Sequence, residues 1–216
     1  MQRIRPRHMP PLRDDGPDAG HTILSDGTTA LLRIAQPGDA DELQRFVERL
    51  SPAATRHRFF SETAPPAEVI RALCDASQPQ RCLTVLVLRR QDDALHIIAS
   101  GSYHARGPHE AEVAMAVDDR LHGHGLGTIL LERLALLAIR HGFTKLWAIT
   151  HADNLAMREV FATSGFAMEE HLEGGDMEVK LSLTPTDQSV RQSEWRERVA
   201  TTASLRPLFH PRTVAV

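Results

Sequence analysis

Ala111-Glu112-Val113-Ala114-Met115-Ala116-Val117, followed four residues later by His122-Gly123-His124-Gly125-Leu126-Gly127, is the stretch that decides how this chain folds. Its first half alternates side chains with the two-residue period of a strand. Its second half carries glycine at 123, 125 and 127 and opens a Leu- and Ala-rich segment that reads as a long helix from about Gly125 to His141. Glycines let the backbone approach a ligand and turn several N–H groups one way. Those groups also lie at the positive end of the helix dipole, an arrangement that suits a diphosphate. Taken alone, the three glycines are equally consistent with a tight turn. No Gly-Lys-Ser/Thr follows, so this is not a P-loop. The spacing also lacks the third glycine of a dinucleotide fingerprint, and no acidic residue closes a strand about 20 residues on.

Working outward, Thr29 to Ile34 is a short strand closed by Pro37-Gly38. Asp39 can cap a helix to Leu50, with Ala40, Leu43, Phe46, Val47 and Leu50 on one stripe. Pro52 interrupts it, and Ala53 to Ser61 continues as a basic stretch ending in Phe59-Phe60. A third helix starts behind Pro65-Pro66, with Val69, Ile70, Leu73 and Cys74 facing inward. Cys82 to Leu88 is a buried strand, Gln91-Asp92-Asp93 a turn, and His96 to Tyr103 the hairpin partner. Beyond the long helix come a strand at Lys145 to Thr150, a helix from Asn154 to Ser164 broken by Gly165, and strands at Phe166 to Met168 and Met177 to Leu181. This order implies an α+β chain with a mixed, mostly antiparallel sheet flanked by helices.

Composition narrows the function classes. With 216 residues, 42% apolar and 25% charged, the chain suits one globular domain with tails. A formal charge of −3 supplies no field that would draw it to nucleic acid or an anionic membrane. Leu134 to Ile139 is the longest uncharged apolar run, far short of the roughly 20 residues a span needs. Met1 to Arg13 lacks the apolar core of a signal peptide, so a cytoplasmic location is expected. The twelve histidines are scattered without a His-Glu-x-x-His pattern, and no metal is expected. Cys74 and Cys82 read as reduced, buried thiols.

The segment from Ala111 to Gly127 resembles the acetyl-CoA motif of GNAT acetyltransferases, usually Arg/Gln-x-x-Gly-x-Gly/Ala, with His122 departing at its first position. Asp153-Asn154-Leu155-Ala156-Met157 and Ser164-Gly165-Phe166 resemble the family's next landmarks. The resemblance covers about residues 28 to 183 and implies the GNAT acyl-CoA N-acyltransferase fold with acetyl-CoA as co-substrate. Within the family, Asp26-Gly27, Leu32-Arg33, Glu48-Arg49-Leu50-Ser51-Pro52, Arg58-Phe59-Phe60, Ala111-Glu112 and Asn154-x-x-Met157 are similar to bacterial Pat-type protein lysine acetyltransferases. Those join a GNAT domain to one resembling ADP-forming acyl-CoA synthetases. Leu205 to Val216 looks like the opening strand of that second domain. The expected organisation is therefore a disordered arm over 1–22, the acetyltransferase domain over 23–184, and over 185–216 a linker helix and the start of a synthetase-like domain.

Acetyl transfer to an amine needs a neutral nucleophile. A lysine titrates about three units above neutral pH, so deprotonating it costs roughly 4 kcal/mol, and a carboxylate beside the thioester can take the proton. The resemblance implies Glu112 as that base. Strand alternation puts it on the face opposite Val113 and Met115; a solvated edge glutamate is the bland alternative and Glu110 the nearest competitor. The resemblance further implies that Met115 and Val117 offer backbone groups to pantetheine. His122, Gly123, His124, Gly125, Leu126, Gly127 and Thr128 would wrap the pyrophosphate. Asn154 would bond the pantetheine arm, or simply cap its helix, with Met157 one turn on. Many members carry a Tyr seven residues after the Asn to protonate the leaving thiolate. Here that residue is Phe161, a wall by the pantetheine or plain core.

The Pat-type resemblance implies a protein acceptor, the active-site lysine of an AMP-forming acyl-CoA synthetase. Arg56, Arg58 and Arg71 offer a basic cluster to an acidic target surface. A small-molecule amine acetyltransferase and a non-catalytic acyl-CoA sensor are the alternatives. The first would call for an enclosed acidic pocket that residues 50–80 do not supply, and the second is at odds with an intact Glu112.

Overall fold

Leu126, Leu130, Leu131, Leu134, Ala135, Leu137 and Ala138 repeat at helical spacing, and all are buried along one side of a single helix. That helix organises the larger of two cores. The computed structural model describes residues 19–184. In chain order these form β1 (Ala19–Ile23), β2 (Thr29–Ile34), α1 (Ala40–Arg49), α2 (Pro52–Phe59), α3 (Ala67–Leu73), β3 (Cys82–Gln91), β4 (Ala94–Ala105) and β5 (Glu110–Val117). After these come α4 (Leu126–Arg140), β6 (Lys145–His151), α5 (Leu155–Ser164), β7 (Ala167–Glu173) and β8 (Asp176–Ser182).

The strands make one eight-stranded sheet in the order β1-β2-β3-β4-β5-β6-β8-β7. Every pairing is antiparallel except β5 with β6. Because side chains alternate across a strand, each face has its own core. Leu83, Val85, Tyr103, Val113, Met115, Leu146 and Val179 belong to the cluster that includes α4 and α5 residues. Leu86, Leu88, Ile97 and Ala116 join Leu43, Phe46, Val47, Ile70 and Leu73 from α1 and α3. The α+β class and the helix-flanked, mostly antiparallel sheet are as expected.

Four local readings change. β1 begins at Ala19, inside the stretch read as an arm, and pairs along β2 from Ala19 with Arg33 to Ile23 with Thr29. Asp39 does not cap α1 through its side chain. It accepts both Arg33 guanidinium nitrogens at 2.6 Å instead, tying the end of β2 to the helix start. Val69 is 43% exposed, because α3 spans only two turns and buries Ile70 and Leu73. Cys82 is only half-buried, whereas Cys74 is fully buried, and both are free. The expectations for residues 1–18 and 185–216, including the linker helix and the closing strand, lie outside the described residues.

Candidate active site

β5 and β6 are paired over only three positions: Glu110 with Lys145, Ala111 with Leu146, and Glu112 with Trp147. Beyond them β5 stays in register with β4 as far as Val117, and β6 stays with β8 as far as His151. The two halves of the sheet therefore part after Glu112. Val113 to Val117 have no ladder partner on β6. A strand edge of this kind can take an added extended chain by main-chain hydrogen bonds. Met115 and Val117 stand on that stretch. The Met115 side chain belongs to the large core and that of Val117 is partly buried against it, which leaves their backbone groups to meet a ligand.

The glycine loop lies beyond the end of β5. Gly123 and Gly125 adopt φ of +78° and +81°, the left-handed region that favours glycine. A Cβ at either would meet nothing within 4 Å, so backbone conformation rather than space calls for glycine there. At Gly127 the reason is space: a Cβ would lie 2.8 Å from Val160 Cγ2, where α4 and α5 pack. Gly125 is the N-cap of α4 and supplies no side-chain cap. The first helical bond runs from Ile129 N to Gly125 O, leaving the N–H groups of Leu126, Gly127 and Thr128 outside the intrahelical ladder. Those donors and the dipole make an anion seat.

Side chains distant in sequence brace this loop. Ser51 donates from Oγ and N to the Asp119 carboxylate at 2.7 and 3.0 Å, tying the α1–α2 corner to the turn before the loop. Ser25 N donates to His124 O at 3.4 Å, and His124 Nε2 lies 3.6 Å from Asp26. His122 folds back so that Nε2 meets the Val117 carbonyl at 3.3 Å. The atypical first residue of the loop thus occupies one backbone group expected for pantetheine.

Glu112 stands where the strands part, its side chain 42% exposed. In register across the sheet and sharing its face are His104 on β4, Trp147 on β6 and Lys180 on β8. Arg106 Nε lies 3.9 Å from Glu112 Oε2. Its guanidinium carbon sits 4.5 Å from the Trp147 ring centroid, and Lys180 Nζ lies 4.2 Å from the same centroid. Glu110, two residues earlier, pairs with Lys145 at 3.4 Å at the closed end. The competing carboxylate is thus farther from the gap and turned to Lys145. His104 also lines a cavity of about 380 Å³ together with Asp75, Gln78, Arg81 and Cys82.

Arg56 and Arg58 of α2 and Arg71 of α3 do not form the exposed cluster expected of them. Arg56 Nη2 is 3.1 Å from Asp153, and His57 Nε2 is 3.2 Å from the same carboxylate, so α2 is pinned to the loop after β6. Arg58 is buried and donates to Ser102 Oγ at 2.8 Å. Arg71 alone of the three stays exposed without an ion pair among the described residues. Burial pushes the Arg58 guanidinium down to about 10, with Cys82 and Glu112 pulling it the other way. None of these ties was readable in sequence, since each joins segments at least 44 residues apart.

Asn154 is 9% exposed and caps α5: its Oδ1 accepts from Met157 N at 3.1 Å and its Nδ2 donates to Thr150 Oγ1 at 2.9 Å. Met157 is half-buried and packs against the large core. Asn154→Ala removes the cap and strands the buried Thr150 hydroxyl, for an expected loss of about 2–4 kcal/mol in urea denaturation. Asn154→Asp can still cap and accept from Thr150, and is expected to recover most of it. An Ala variant that keeps parental stability but loses acetyl-CoA affinity would make the ligand role the dominant one. Phe161 is 2% exposed and belongs to the large core. Among the described residues, no group of three or more His, Cys, Asp or Glu can hold a metal ion. No described helix is long and apolar enough to cross a membrane.

This geometry has relatives. A model described as the acetyltransferase (GNAT) family matches residues 47–166. An acetyltransferase of Pseudomonas aeruginosa is 31% identical over 146 residues, which cover 66% of this chain and 77% of that one. The crystal structure of the GNAT domain of S. lividans PAT superposes with a TM-score of 0.68 at 25% identity, covering 76% of this chain and 96% of that one. The yncA protein of Salmonella typhimurium, solved with its cofactor acetyl-CoA, superposes with a TM-score of 0.57 at 17% identity, covering 73% and 96%.

Proposed function

Because the chain belongs to the GNAT acetyltransferase family, whose co-substrate is acetyl-CoA, we propose that it moves the acetyl group to the ε-amine of a lysine on a protein, the active-site lysine of an AMP-forming acyl-CoA synthetase. The observation that carries this reading is the position of Glu112, a half-exposed carboxylate at the point where β5 and β6 part. Acetyl-CoA would lie in that gap, its pyrophosphate on the donors of Gly123 to Thr128 and its pantetheine along Val113 to Val117. Glu112 takes a proton from the acceptor ammonium, directly or through one water, and the lysine Nζ so made neutral attacks the thioester carbonyl carbon; the adduct nitrogen sheds its second proton to solvent. The tetrahedral adduct collapses by breaking the C–S bond, giving the amide and CoA thiolate. Phe161 carries no acid group, so solvent protonates the thiolate, which with a pKa comparable to about 8.5 is a tolerable leaving group.

The acceptor side supports a protein rather than a small polyamine. Around Glu112 stand Arg106, Trp147 and Lys180, a rim that carries cations and is not an enclosed acidic pocket. Acetylation of the target lysine would remove its charge and donor capacity. The test is incubation with acetyl-CoA and a purified AMP-forming acyl-CoA synthetase, reading the modified lysine by mass spectrometry. A single dominant acetyl-lysine in the synthetase active site is the expected result. Turnover of free amines with no modification of any synthetase would overturn it.

A further inference from the structure

Arg58 is the one buried guanidinium among the described residues, and its charge is not matched by the protein around it. It sits near the end of α2, its carbon 4.8 Å from the Phe59 ring centroid, and bonds the hydroxyl of fully buried Ser102. No carboxylate among the described residues comes within ion-pair distance of it. A buried cation left without a partner is expensive, and an apolar residue of similar size is commonly as stable or more so. A charge held there in spite of that points to something beyond packing.

The register shows what it is held against. Ser102 lies opposite Ala114 on β5, and His104, two residues on, lies opposite Glu112. Ser102 is therefore the diagonal neighbour of Glu112 on the same sheet face, a separation of roughly 7 Å between side-chain stems. Glu112 itself is half-exposed and hydrated as long as the gap is open. A bound thioester and an acceptor lysine would strip that water away, and desolvation favours the protonated, useless form of a carboxylate. A cation that is already buried and fixed opposes this without rearranging.

We infer that Arg58 is a positioning residue that acts through Glu112, holding its carboxylate ionised when acetyl-CoA and the acceptor close over it. This rests on the reading of Glu112 as the base. The other charged or titratable groups facing the pair are Cys82 on β3, His104 on β4, Arg106 before β5, the mutually paired Glu110 and Lys145, and Lys180 on β8. Arg106 is 41% exposed and Lys180 is half-buried, so water screens them more than it screens Arg58.

The test is the pH profile of kcat for lysine acetylation, at saturating acetyl-CoA and acceptor, in Arg58→Met and Arg58→Lys, because kcat reports ionisation in the closed complex. Met is apolar and of similar length but leaves the buried Ser102 hydroxyl without its donor, so a modest loss of stability is expected of the first variant, and thermal melting and acetyl-CoA affinity check that its site stays assembled. Its acid limb is expected to move up by roughly one pH unit, while Arg58→Lys keeps the parental limb. A purely structural role would lower activity in both variants without moving the limb, and that outcome overturns the inference. So does an equal shift in both. Glu112→Gln separates the two readings. If it retains full activity with the parental profile, the base assignment fails. If it is inactive while Arg58→Met shows an unshifted limb, only the role of Arg58 fails.

Discussion

Glu112→Gln is expected to lower kcat/KM for lysine acetylation by about 10²–10⁴-fold, the span typical of removing a general base. The change keeps the shape of the side chain and its place at the parting of β5 and β6, so acetyl-CoA should bind with parental affinity. Glu112 Oε2 is 3.9 Å from Arg106 Nε and the pair is half-exposed, so little stability rides on it. The rate loss should fall on kcat and not on the KM for acetyl-CoA. Raising the pH should recover part of it, because more of the acceptor lysine is then already neutral. Stopped-time assays with labelled acetyl-CoA across pH 6.5 to about 10 would show the recovery. A Gln variant with parental kcat at neutral pH would remove Glu112 from the chemistry. It would turn attention to a water-mediated or substrate-supplied base.

What the chain discloses before folding depends on how local the cause is. The strand, glycine loop and helix from Glu112 to Arg140 are set by period-two alternation, left-handed glycines and a leucine stripe, all within 29 residues. The parting of β5 from β6 is not local. It depends on a register that pairs Glu112 with Trp147 and then stops. Arg56 and Arg58 look interchangeable in a basic stretch, yet one turns outward to Asp153 and the other goes under Ser102. Only the packing of α2 on the sheet separates them. Asn154 reads as a ligand or a cap from the same letters, and it is the neighbouring Thr150 hydroxyl that completes the cap. β1 carries no strand signal of its own, because Ala19-Gly20-His21 lacks apolar alternation, and its strand form comes from pairing with β2 at the sheet edge.

Phe161→Ala should be the most destabilising single change near the site. The ring is 2% exposed in the large core, on α5 next to the place where Gly127 of α4 meets Val160. Truncating a buried Phe costs about 3–5 kcal/mol, the lost transfer of the ring plus the cavity it leaves. In a domain of this size that corresponds to a fall of roughly 10 °C in Tm. The loss should drag acetyl-CoA affinity down with it, since α5 and the N-terminus of α4 lean on each other. Phe161→Tyr separates packing from chemistry. If this position overlooks the leaving thiolate, a hydroxyl there would supply the proton donor that many relatives of this fold carry and would raise kcat. The ring is closed in by core residues, so the new hydroxyl should instead be buried without a partner. It then costs about 1–3 kcal/mol and brings no gain in rate. Thermal melting together with kcat at saturating acetyl-CoA decides between the two. A Tyr variant that is both stable and faster would make Phe161 a lining of the acetyl site and not merely a part of the core.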